Sequence, residues 1–193
     1  MKVEIIFHGP FRISTGSTRD GVAATVDHHD PIPASSLKGL MRASAALLLP
    51  RQTDLVDEVF GHGGPSGRRH ASPWHWGSAT ADHPVYDQRA RLAIDPATGA
   101  GRPGYLFLGE EVWARSATFE ITRHRPLDAD ILARHHAVLA CAAAGVHALG
   151  SDRRRGLGWV TLRPTDPALD EELLATFEAL GPGSTPARGG QDA

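Results

Sequence analysis

Cysteine, lysine and long apolar runs are what this 193-residue sequence has least of. Its one cysteine, Cys141, falls within an apolar helical stretch and excludes both a disulfide framework and a four-cysteine zinc site. No apolar run is long enough to cross a bilayer and no secretory leader is expected, so the expected setting is a reducing cytoplasm without a membrane partner. A surplus of positive charge is also missing. The 20 Lys and Arg against 22 Asp and Glu give a formal net charge of −2, which speaks against a free-standing nucleic-acid binder. The shortage of lysine is more telling. Only Lys2 and Lys38 are lysine; the other cations are arginine, whose planar fork donates paired hydrogen bonds to phosphate or carboxylate. Charge is also uneven, with Asp166, Asp170, Glu171, Glu172 and Glu178 near the C-terminus and Arg68, Arg69 and Arg153 to Arg155 in glycine-rich loops. A local basic groove is compatible with a near-neutral total.

The length suits one domain with an insertion. Val3 to Phe7 reads as a strand, Ser36 to Leu49 and Thr53 to Phe60 as helices, and Ala117 to Arg123 as a strand. Asp128 to Leu149 reads as a long helix stopped by Gly150, and Trp159 to Leu162 as a closing strand. Val85 to Ile94 and Tyr105 to Val112 are extended runs about a turn at Asp95 to Gly99. The predicted class is α+β: a ferredoxin-like, RRM-type βαββαβ domain over residues 1–165 with long glycine-rich loops at 14–34 and 61–84. It carries an inserted β-hairpin arm over about 95–112. An acidic helical extension at 166–180 and a disordered tail at 181–193 follow.

Two distant segments carry chemistry suited to a polyanion. In Ile32-Pro33-Ala34-Ser35-Ser36-Leu37-Lys38-Gly39-Leu40-Met41-Arg42, Ser35 or Ser36 is the expected N-cap. The free amides of the first turn and the cations Lys38 and Arg42, four residues apart, then share one region. In Gly150-Ser151-Asp152-Arg153-Arg154-Arg155-Gly156-Leu157-Gly158, glycines frame an arginine triplet and leave room for an approaching chain. The bland readings are a capped amphipathic helix and a solvated turn. The predicted binding residues are therefore Ser35, Ser36, Lys38, Arg42, Gly150, Arg153, Arg154, Arg155, Gly156 and Gly158.

These two segments, with Phe60-Gly61 between them and Arg91-Leu92-Ala93-Ile94-Asp95-Pro96-Ala97-Thr98-Gly99 before Leu106-Phe107 and Glu111-Val112, resemble the RAMP superfamily over roughly residues 1 to 163. More narrowly, they resemble backbone subunits of type III CRISPR antiviral effectors. The resemblance implies a subunit that binds guide RNA, polymerises with copies of itself and other effector subunits, and presents the guide to complementary target RNA, which pairing rather than protein reads. The hairpin would act as a wedge against the guide–target duplex. It further implies an aspartate in the 14–34 loop that serves target cleavage. When Gly21-Val22-Ala23-Ala24-Thr25-Val26 is laid on the family's pattern, that position falls on Ala23. Either this copy is inert, or a substitution has removed the acid, or the register slips and Asp27 or Asp20 does the work. If the loop is catalytic, the product is a metal-dependent endoribonuclease with Mg or Mn as cofactor; otherwise no cofactor is implied.

Eleven histidines invite a metal reading. None of His28-His29-Asp30, His62, His70 and His75, or His135-His136 has the four-residue helical spacing of a zinc-protease motif, and no metal site is predicted. His135 is expected to pack on the apolar helix face. Trp74 and Trp76 flank His75 as an edge strand would, although they could also stack on bases. Two rival readings remain: a stand-alone metal-dependent phosphoesterase using the His28-His29-Asp30 loop, and a non-catalytic end-cap subunit of the same effector.

Overall fold

The computed structural model describes residues 1–19, 21–63 and 69–181. The tail predicted to be disordered lies, from residue 182 onward, outside the described residues. In chain order the elements are β1 (Lys2–Phe7), β2 (Val22–Ala24), α1 (Ala34–Leu48), α2 (Thr53–Phe60), β3 (His62–Gly63), β4 (Arg69–His70), β5 (Trp74–Trp76), β6 (Thr80–Ala81), β7 (Val85–Ile94), β8 (Gly101–Trp113), β9 (Ser116–Arg123), α3 (Ala129–Ala144), β10 (Val160–Asp166) and α4 (Glu171–Ala179).

The core is built on one antiparallel sheet of order β10-β1-β9-β5, with β6 also paired to β9. Alternation sets its faces. Val3, Ile5 and Phe7 of β1, Ala117, Phe119 and Ile121 of β9, and Val160 and Leu162 of β10 are buried. They meet the apolar stripes of α1 (Leu37, Met41, Ala45) and α3 (Val138, Leu139, Ala142). The opposite face carries the cross-strand ion pairs Lys2–Glu120 at 3.5 Å and Glu4–Arg163 at 3.9 Å among exposed threonines. Its charges are already matched within the sheet.

The arm is longer than the 95–112 boundary. Its strands are β7 and β8, paired from Val85↔Trp113 to Ile94↔Gly101, so residues 85–94 belong to it. Its distal part has no core to join. Leu92, Ile94, Tyr105, Leu106 and Phe107 are all exposed. At the root, Phe11 and Val112 exchange backbone hydrogen bonds of 2.9 and 2.8 Å, which fix the arm to the chain leaving β1.

Other sequence expectations are revised. The 14–34 loop contains β2, which pairs parallel with β8 (Val22↔Leu108) and makes the arm three-stranded at its base. The 61–84 loop contains β3 to β6, and Trp74 and Trp76 point inward while His75 faces out, as an edge strand requires. Helix α1 starts directly after Pro33, one turn position before Ser35 and Ser36 can cap it. Its Ala34 amide instead donates to Ser78 Oγ at 3.2 Å, and that hydroxyl donates to Asp30 Oδ2 at 3.0 Å. Helix α3 stops at Ala144 rather than Leu149. Beyond Gly145, Leu149 N donates to Gly158 O and Val160 N to His147 O, so the backbone groups that would extend the helix pair with the start of β10.

Candidate nucleic-acid interface

The loop at 150–158 is stitched at its base and open at its tip. Ser151 N donates to Arg12 O at 2.7 Å, and Gly158 N donates to Pro10 O at 2.8 Å. Gly150 and Gly158 have φ of 78° and 75°. A Cβ on Gly150 would stand 2.1 Å from Arg12 O, and one on Gly158 2.0 Å from Leu149 O. The close approach these glycines permit is therefore to the protein's own backbone, which corrects the idea that they make room for an incoming chain. Gly156, at φ 82°, faces open space. Arg153, Arg154 and Arg155 are exposed at the tip and, with Gly150 and Asp152, line a cleft of about 760 Å³.

Ser35, Lys38 and Arg42 line a different cleft, of about 570 Å³, with Phe60, Gly61, His62 and His70. Neither lining includes a residue of the other, so the two predicted segments form two basic clefts rather than one groove. Arg42 is committed within the fold. It donates to Gly61 O at 2.9 Å and pairs with Asp57 at 2.5 Å, tying α1 to the end of α2. Lys38 lies 5.1 Å above the Trp76 ring, and burial, then the Arg42 charge, lowers its pKa. Ser36 is in the first turn of α1 but not in this lining.

A third cleft, of about 800 Å³, lies between the arm root and the arginine loop. Arg12, Ala23, Arg89, Arg91, Gly109 and Arg155 line it. Ala23, at the position where an aspartate was expected, is an exposed strand residue that shares this lining with four arginines. Arg12 is 5% exposed. Its Nε donates to Glu110 O and its Nη1 to Asp152 Oδ2 at 3.0 Å. Arg91 Nη1 reaches the same Oδ2 at 2.6 Å, and Arg89 Nε pairs with Glu111 at 2.6 Å. Burial, then the neighbouring Arg91 charge, lowers the pKa of Arg12.

The candidate acids do not gather there. Asp20 lies outside the described residues. Asp27 Oδ1 accepts from the amides of His29 (2.9 Å) and Asp30 (3.3 Å), and these bonds hold its pKa below the usual carboxylate range. It acts as a turn residue. His28 stacks on Tyr86 at 3.9 Å between centroids, whereas Asp30 accepts from the Ser78 hydroxyl, so these two side chains of the His28-His29-Asp30 run serve separate partners. Among the described residues no three His, Cys, Asp or Glu side chains converge to hold a cation. The guanidinium-lined cleft at Ala23 has the wrong charge and donor set for Mg or Mn. His135 is fully buried, accepting at Nδ1 from Trp74 Nε1 at 3.1 Å.

Sequence reasoning missed Arg12, Arg89, Glu110, Glu111 and the role of Asp152. Arg89 and Arg91, two apart in a strand, necessarily share a face, and that alternation was a usable signal. Arg12, flanked by Phe11 and Ile13, carries no such mark.

The sequence profile of the RAMP superfamily matches residues 4–161. No curated relative matches the sequence. Among solved structures, a chain of a type III-B Cmr-beta bound to cognate target RNA is similar with a TM-score of 0.66 and 13% identity, over 87% of this chain and 98% of that one. A chain of the apo state of a type III-B Cmr-beta gives 0.61 and 12%, over 84% and 95%. One from a type IV-B CRISPR complex gives 0.58 and 20%, over 88% and 91%. At these identities the shared property is the fold.

Proposed function

Because the chain belongs to the RAMP superfamily, we propose that it is an RNA-binding subunit of a CRISPR effector. It holds the backbone of a guide RNA, polymerises along it with copies of itself and other effector subunits, and presents it for pairing with target RNA. The sheet order β10-β1-β9-β5, fourth-first-third-second in terms of the core strands, favours a ferredoxin-like core carrying α1 and α3. Head-to-tail stacking follows from a heterologous interface that does not close. The exposed apolar tip of the arm suits a wedge against stacked bases. In this reading the protein works in the cytoplasm.

The observation that carries the reading is the tip Arg153-Arg154-Arg155, fully presented while the base of its loop is locked by Gly150 and Gly158. A loop anchored at its base, with three exposed forks that have no ion pair among the described residues, suits a grip on phosphates that does not read sequence. Cleavage is not part of the proposal: Ala23 offers no acid and Asp27 caps its own turn, while Asp20 lies outside the described residues. The decisive experiment is isolation of the protein from its native cells and sequencing of the bound RNA. Guide-like RNA of discrete length is expected. Nucleic-acid-free protein, or random fragments, would end the reading.

A further inference from the structure

The cleft beside Ala23 carries more positive charge than the protein itself satisfies. Four guanidinium groups line it, those of Arg12, Arg89, Arg91 and Arg155. Two carboxylates reach them: Asp152, shared by Arg12 and Arg91, and Glu111, on Arg89. Arg155 has no ion pair among the described residues. Two donor atoms stand out, because Arg12 Nη2 and Arg91 Nη2 are buried without a hydrogen-bond partner. Buried, charged donors left unpaired are costly, and such an arrangement calls for an anion. Gly109 is part of the same site. A Cβ there would stand 2.6 Å from Arg12 Nη2, so only a glycine in β8 lets the Arg12 head lie against the strand at the cleft wall.

We propose that this cleft is a binding site for a single phosphodiester of a bound RNA strand, gripped by Arg12, Arg91 and Arg89 and closed on its outer side by Arg155. The proposal rests on the RNA-binding reading above. A phosphodiester brings one negative charge and two unesterified oxygens, which suit a local surplus of guanidinium forks, two of whose nitrogens are buried without a partner. A dication is excluded by the same charges. The cleft is open and lies between the arm and the arginine loop, as a site for one link of a continuing chain must be. Asp152 gives it shape: its Oδ2 holds two like-charged heads on one point, which fixes the spacing of their remaining nitrogens.

The test has two arms, both on the full chain. In the first, thermal unfolding is followed with inorganic pyrophosphate against chloride at equal ionic strength. Pyrophosphate should raise the Tm of the unaltered protein, and Arg91→Gln and Arg89→Gln should each remove most of that rise, while Arg163→Gln on the sheet face keeps it. In the second arm, anisotropy of a labelled single-stranded RNA is measured across salt concentrations. Each cleft variant should bind several-fold more weakly, with the log–log salt slope reduced by about 0.7, the share of one neutralised phosphate on a single strand. No pyrophosphate effect on the unaltered protein overturns the anion site, even if RNA binds elsewhere. A pyrophosphate effect with unchanged RNA affinity and slope in the variants overturns the assignment to RNA. If the unaltered protein binds no RNA at all, the proposed function falls and the first arm still decides the cleft. Circular dichroism confirms that the glutamine variants fold. Arg12→Gln is reserved as an added variant, because it also breaks the bond to Glu110 O.

Discussion

Arg12 and Asp152 lie 140 positions apart in the chain and meet through a 3.0 Å hydrogen bond. Asp152 has φ 59°, a left-handed conformation that aspartate tolerates better than most residues. The contact joins the chain leaving β1 to the loop preceding β10, and Arg91 adds the arm to the same carboxylate. Three parts of the molecule are thus held at a single oxygen atom.

The glycines of the loop divide into those the fold needs and those it does not. Gly150→Ala and Gly158→Ala should each destabilise the protein by about 3 kcal/mol or more, since a methyl would collide with a carbonyl in a positive-φ position. Gly156→Ala faces only the backbone penalty, about 1 kcal/mol. Gly39→Ala, in α1 with open space beside it, should stabilise by roughly 0.5–1 kcal/mol. Urea denaturation of the four variants checks the order.

Replacing Arg153, Arg154 and Arg155 together by alanine should leave the melting curve nearly unchanged, because these side chains are exposed. RNA affinity should fall across all sequences tested, with a slope against salt reduced by about 0.7 for each phosphate no longer neutralised. An identical slope would remove the tip from the interface.

Deleting residues 96–104 should leave a folded domain. The excised stretch has no buried residue, and the pairing of β2 with β8 at Val22↔Leu108 is retained. Far-ultraviolet circular dichroism and a cooperative melt would support this; a chain that fails to fold would show that the arm contributes to the core.

Acid should weaken the fold through His135. Its Nδ1 accepts from Trp74, which leaves the single proton on Nε2, 3.2 Å from Glu58 but out of line for a hydrogen bond. Burial outweighs the Glu58 attraction and lowers its pKa. The sign follows from proton uptake. Near and below pH 6.5 the unfolded chain binds a proton that the folded one refuses, so stability is full above that range and declines as pH falls through it. His136, also lowered by burial, acts in the same direction. Tm measured from pH 8 to pH 5 should fall, and His135→Asn should flatten the decline.

How far the sequence could be read depended on whether the signal was local. Val3, Ile5 and Phe7 alternate, and Ala117, Phe119 and Ile121 repeat the pattern, so β1 and β9 are legible from period alone. The arm was visible in two extended runs about Asp95 to Gly99. β2 was not, because Val22-Ala23-Ala24 is too short for periodicity and exists only by pairing with a distant strand. The end of α3 was misplaced for a similar reason: apolar residues continue at helical spacing to Leu149, while the backbone of His147 and Leu149 pairs with Val160 and Gly158. At the candidate site, the exposed arginine tip was legible from its glycine frame. The cleft at Ala23 was not, since it is assembled from Arg12, Arg89, Arg91 and Asp152, residues brought together only by the tertiary fold.

The two-way bond between Phe11 and Val112 makes the arm a lever with a clamped end. Motion at the root would break backbone bonds beside a buried phenylalanine, whereas the register shift between Leu92 and Ile94 interrupts the ladder far from any core. The pairing of the arm is therefore weakest in its outer part. Amide exchange along β8 should slow from Leu106 toward Val112, and whatever the tip touches is met by a pliant end on a stiff shaft.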